Sequence, residues 1–207
     1  MQRTRIQKFL RTTALLFLPM LPIVLTGTGC GTATPLSINA QPTASHPESE
    51  ANRIAAEAFI DAFYSWDARA LSARMDAPKD AARTLYYQGW AEAGNYQIQN
   101  RRTCEKGLDG RLECAITVTD DIGTALGYIA TDVFHLTITA GRIVGIEFDS
   151  DDPLIFAEVF EWMAADRPEV FEGPCENLFN GGETPGECVR AVVRAARDYV
   201  IRTGDQS

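Results

Sequence analysis

Histidine is scarce in this chain. Among 207 residues there are only His46 and His135. No pair of His or Cys stands at ligand spacing, so neither a zinc site nor any other metal or cofactor is expected. Positive charge is also short. Nineteen Lys and Arg face 28 Asp and Glu, a net charge of −9. Residues 1–29 hold Arg3, Arg5, Lys8 and Arg11 and no acid, so the remainder carries −13 once those four charges are set aside. Such a surface repels phosphate backbones, which argues against nucleic acid as a partner. No apolar run reaches the roughly 20 residues that a membrane-spanning helix needs. Phosphate-binding glycine loops, G-x-S-x-G and Cys/His nucleophile pairs are missing. A calcium loop starting at Asp149 fails because Pro153 and Leu154 occupy the positions that need a ligand and a glycine.

The N-terminus reads as an address. Basic residues 1–11 precede an apolar stretch, Ala14 to Leu25, broken by Pro19 and Pro22. This fits a secretory signal peptide over 1–29. The segment LTGTGC, ending at Cys30, resembles a bacterial lipobox, in which a small residue precedes a cysteine that is lipidated and becomes the new N-terminus. Gly27 stands where that motif prefers leucine, so ordinary cleavage to a soluble secreted or periplasmic protein is the alternative. Setting Cys30 aside for lipid leaves four of the five cysteines, an even number suited to an oxidising compartment. Residues 30–46, rich in Thr, Pro, Ser and Ala, read as a disordered tether.

A helical block comes next. Ser45 and Glu48 form a capping box, and Pro47 suits a first turn. Ala55, Ala58, Phe59, Ala62, Phe63 and Trp66 make one stripe at helical period. Asp61 on its flank and Tyr64 opposite read as solvated surface. Asp67 caps a short second helix. A third runs from about Pro78 to Ala93 and stops at Gly94-Asn95. Its inner stripe is Ala82, Leu85, Tyr86, Gly89, Trp90 and Ala93. Tyr86 and Trp90 read as core or as pocket lining.

Strands succeed the helices. Tyr96–Cys104 and Leu112–Asp120 read as a hairpin around Leu108-Asp109-Gly110, with a loop from Asp120 to Leu126. Cys104 and Cys114 are equidistant from Asp109, so a cross-strand disulfide is expected. Gly127 to Asp149 reads as two long strands turning at Ala140-Gly141. Ala130, Phe134, Leu136 and Ile138 share one face, and Val144, Ile146 and Phe148 another, which together form an apolar surface. Asp132 has the same parity as the apolar set. His135 has the opposite parity, with Thr131, Val133 and Thr137, and so cannot form a dyad with Asp132.

Residues 150–203 read as a helical annex. One helix runs from Asp152-Pro153 to about Ala165, with Phe156, Val159, Phe160 and Met163 inward. The acidic group Asp149, Asp151 and Asp152 reads as a solvated turn capping it. The final helix carries Val189, Val192, Val193, Ala196 and Val200 behind a capping box at Thr184 to Glu187. A Cys175–Cys188 disulfide closes the Gly-rich loop ahead of that helix.

The expected class is α+β: helices packed on one face of a curved, mostly antiparallel sheet of four strands or slightly more. Residues 48–149 resemble the NTF2-like (SnoaL-like, cystatin-like) superfamily. The likeness rests on FIDAFYSWDARAL, on the helical block before the sheet, and on the hairpin VFHLTITAGRIVGIEF. MDAPKDAAR is too short for the hairpin that family members often place between the second and third helices. The resemblance implies a cone-shaped domain over 47–149, a pocket between helices and sheet, and often a homodimer through the outer face of the sheet, where His135 lies.

Two functional readings are open. One is an envelope lipoprotein, membrane-bound through its lipid only, whose domain binds a small apolar ligand or another envelope protein without catalysis. The other is an exported isomerase or dehydratase. There, Asp132 acts as general acid or base with a pocket tyrosine, Tyr86 or Tyr96, beside Trp66 and Trp90. The plainer alternative for Asp132 is a strand-end carboxylate meeting water, Arg101 or Arg102.

Overall fold

The computed structural model describes residues 47–176, 178 and 186–204. The expected signal peptide, Cys30, the expected tether, and the expected capping residues Ser45 and Thr184 lie outside them. The chain begins with three helices: α1 (Pro47–Phe63), α2 (Ala68–Ser72) and α3 (Pro78–Ala93). Strands β1 (Gln97–Arg101), β2 (Glu105–Lys106) and β3 (Leu112–Thr119) come after them, then helix α4 (Asp121–Leu126). Strands β4 (Ala130–Thr139) and β5 (Arg142–Ser150) complete the sheet. Helices α5 (Leu154–Asp166), α6 (Glu169–Glu172) and α7 (Gly186–Gly204) end the chain.

The class is α+β, and the sheet has five antiparallel strands, within the expected four or slightly more. It runs β1-β3-β4-β5, with β2 also pairing with β3. The expected single strand from Tyr96 to Cys104 breaks into β1 and β2. The expected loop after β3 contains α4, because the Asp120 carboxylate accepts from Gly123 N and caps that helix. The turn between β4 and β5 forms where expected. Ala140 and Gly141 both take positive φ, 50° and 73°, which suits a tight hairpin turn.

Two bulges set which side chains face inward. Thr137 pairs with Gly145 while Ile138 pairs with Ile143, so Val144 is an extra residue. One added residue reverses the parity of the strand beyond it. Ile143 therefore enters the core at 1% exposure, and Val144, expected inside, is 42% exposed. In β1, Ile98 pairs with Val118 and Asn100 with Thr117, which leaves Gln99 extra. Arg101 then pairs with Ile116, turned toward α1, where it bonds Glu57 and Asp61 at 2.7 and 2.6 Å. Ile98, also expected inside, lies exposed on this edge strand.

Two apolar clusters result. The first lies between α1, α3 and the sheet. Phe134 meets Phe59, Phe63 and Phe148 at ring separations of 5.6, 4.9 and 5.0 Å, and Tyr87 of α3 covers Phe148 at 4.7 Å. The α3 stripe is wider than its expected pattern, since Thr84, Gln88 and Ala91 are buried while Ala82 is exposed. The second cluster joins Trp90 to Ile122, Val159, Phe160, Met163, Val189 and Val192. Val200, expected inside, is exposed on α7. Both disulfides are present: Cys104–Cys114, which the β2–β3 register brings face to face, and Cys175–Cys188.

Candidate functional site

Asp132 lies on the helix-facing side of β4, in a row running Arg101, Ile116, Asp132, Ser150 across the sheet. It is 2% exposed. Its cover is the chain that leaves α1. That helix stops at Phe63, and Trp66 adopts a left-handed backbone with φ of 61°. A bulky residue in that region is strained, so the turn must be held from outside. Gln88 does so from α3. Its buried amide donates to the carbonyls of Ala62 and Phe63 at 3.1 and 2.9 Å, at a helix end where carbonyls run short of intrahelical donors. Ser65 Oγ donates to Ala62 O as well. The turn carries Tyr64 over the sheet, and its hydroxyl donates to Asp132 Oδ2 at 3.1 Å.

Electrostatics follow from this enclosure. Burial pushes the Asp132 carboxyl up to about 7; the Tyr64 and Ser150 hydroxyls pull the other way, and Asp152 and Asp120 add to the rise. The Tyr64 phenol is raised by burial and then by Asp132. Asp120, 8% exposed, is pushed up to about 6, chiefly by burial and against the bond from Gly123 N. Tyr96 and Tyr128 are raised by burial and by the Asp120, Asp132 and Asp152 charges. Asp152 is raised too, first by crowding of its carboxyl and then by Asp120. The residue as a whole is exposed, so water screens that rise. Three carboxylates and three tyrosines thus share one end of the sheet. Grouped perturbed ionisations of this kind are a physical mark of functional sites.

The expected site residues separate. Asp132 and Tyr96 share this end, and Trp66 stands beside it, edge-on to Tyr64 at 5.8 Å. Tyr86 is buried against Tyr87, 5.8 Å between rings, and Tyr64 supplies the phenol at Asp132. Trp90 is no part of a pocket around Asp132, because it belongs to the second cluster, packed with the annex. Arg101 is committed to Glu57 and Asp61, so of the two arginines considered for Asp132, Arg101 is not its partner. Tyr64 itself is a correction. The helical pattern placed it in solvent, but the helix ends one residue earlier. The acidic turn also differs: Asp151 accepts from Thr131 N, while Pro153 stands at the α5 N-cap without a side-chain bond. His135 lies on the outer face, Nε2 3.3 Å from Asp149 Oδ2, with its Nδ1 buried and unbonded among the described residues. No group of three or more His, Cys, Asp or Glu among the described residues is placed to hold a metal ion.

No protein-family model, curated protein or solved structure matches this chain.

Proposed function

We propose that this chain is an exported envelope lipoprotein, anchored through Cys30, whose NTF2-like domain binds a partner protein and turns over no substrate. The observation that supports binding over catalysis is the interlock of rings around Phe134. Side chains of α1, α3, β4 and β5 meet ring to ring between helices and sheet, where the resemblance would put a ligand. Such packing favours a partner on the surface over an enclosed apolar molecule. Ile129 and Leu154, 61% and 81% exposed, stand just beyond the paired ends of β4 and β5. With Asp151 and Asp152 beside them, they suit a partner segment that is both apolar and basic.

Site-specific photocross-linking tests this reading. A probe at Leu154 should capture one discrete envelope protein in cells, and Ile129→Lys should abolish the product without unfolding the domain. Cross-linking spread over many proteins, unchanged by Ile129→Lys, would count against it.

The second reading is acid–base chemistry at Asp132. A carboxyl near pH 7 beside a phenol favours it. Access disfavours it: at 2% exposure, substrate reaches Asp132 only after the Tyr64 turn moves.

A further inference from the structure

At the opposite end of the sheet from Asp132, the β4–β5 turn meets the start of α1 and the end of α2. Gly141 N donates to Asn52 Oδ1 at 2.9 Å, Met75 bridges to Ile143, and Asp76 N donates to Ile143 O at 2.7 Å. These contacts enclose a cleft of about 130 Å³, lined by Ala55, Arg74, Met75, Asp76, Gly141 and Arg142 among others. Its charge is opposite to that of the chain: two arginines against one aspartate. Arg142 makes one ion pair, Nε to Asp76 Oδ2 at 2.8 Å, which leaves both Nη atoms without a protein partner among the described residues. Arg74 makes no side-chain hydrogen bond or ion pair among them. Two arginines line one concave spot with donors to spare, a residue set suited to a tetrahedral oxyanion.

We propose that this cleft binds a phosphate group through Arg74 and Arg142. Arg74 and the free face of Arg142 supply the donors. Asp76 orients Arg142 through Nε and keeps the site selective against weakly charged anions, since an occupant must outweigh that carboxylate. Two sources share the chemistry, a free phosphate and a lipid headgroup. The location favours the headgroup, because Asn52 and Ala55 lie in the first turns of α1, close in sequence to the tether that ends at 46. Only this preference rests on the lipoprotein reading. The phosphate site itself does not depend on whether Cys30 carries lipid.

Titrating the full-length chain with inorganic phosphate, followed by amide chemical shifts, tests the site. Shifts should concentrate at residues 74–76 and 141–142. Arg74→Gln, which removes no internal bond, should weaken binding at least tenfold with the fold intact by circular dichroism. Arg142→Lys should retain part of the affinity, and Arg142→Gln should lose it. Flotation of a Cys30→Ser chain, which carries no lipid of its own, with phosphatidylglycerol vesicles separates the sources: co-flotation lost on adding Arg74→Gln assigns the headgroup, and phosphate binding without co-flotation assigns the free anion. No phosphate response and no co-flotation, or responses unchanged in both Gln variants, overturns the proposal.

Discussion

The Tyr64 hydroxyl donates to Asp132 Oδ2 across 68 residues of sequence, and this one bond ties the end of α1 to the start of β4. It also shows why Asp132 tolerates burial. A carboxylate taken from water needs donors, and here the Tyr64 hydroxyl supplies one. Tyr64→Phe removes it. At pH 8 the variant should lose about 1–3 kcal/mol of unfolding free energy in urea titrations, the cost of orphaning one buried polar group. At pH 4, where Asp132 is protonated, the loss should shrink.

The Asp132 carboxyl titrates near 7 in the folded chain and near 3.8 when unfolded. A raised carboxyl is most favourable to folding while protonated in both states. Its contribution is therefore full below about pH 4 and is lost as pH climbs to 7. Wild type should lose, relative to Asp132→Asn, on the order of 3 kcal/mol across that window. Parallel curves for the two proteins between pH 4 and 8 would show that Asp132 ionises normally.

Much of the sheet was legible because alternation is a direct readout of a strand. Phe134, Leu136 and Ile146 fall where their parity puts them. Val144 and Arg101 do not, because a bulge inserts a residue that hydrophobic pattern alone cannot register. Tyr64 was hidden for a different reason. Helical periodicity assigns a face only while the helix continues, and this one yields to a left-handed Trp66 held by Gln88 from a distant helix. The disulfides were legible from spacing alone. The site beside Asp132 was legible only as a single polar residue in an apolar row, since Asp120, Tyr128 and Asp152 reach it from three separate connections.

Gln88 should prove a structural residue with an effect out of proportion to its size. Gln88→Leu keeps the volume but takes the amide donor from the Phe63 carbonyl and leaves Ala62 O with Ser65 alone. A loss of about 2 kcal/mol or more is expected by thermal or urea unfolding. It should also loosen Tyr64, seen as faster amide exchange over residues 62–66.

Phe134 touches three other rings, and its truncation should open a cavity between helices and sheet. Phe134→Ala should cost about 3–5 kcal/mol. If the resulting space is dry, the variant should bind a small aromatic solute that wild type rejects, measurable by calorimetry.

The Cys175–Cys188 bridge closes a loop with a sequence separation of 13. Replacing both cysteines with alanine should lower stability by about 3 kcal/mol, by releasing α7 from the segment ahead of it in the unfolded chain. Exchange protection should fall first in α7 and α4, which pack together, and last in β3 and β4.

Native mass spectrometry of the protein purified from its native cells reads the central claim most directly. The account expects a chain beginning at lipid-modified Cys30, two intact disulfides, and no small molecule held at one-to-one stoichiometry. A free Cys30 thiol, or an apolar compound that stays bound until the chain is denatured, would contradict it.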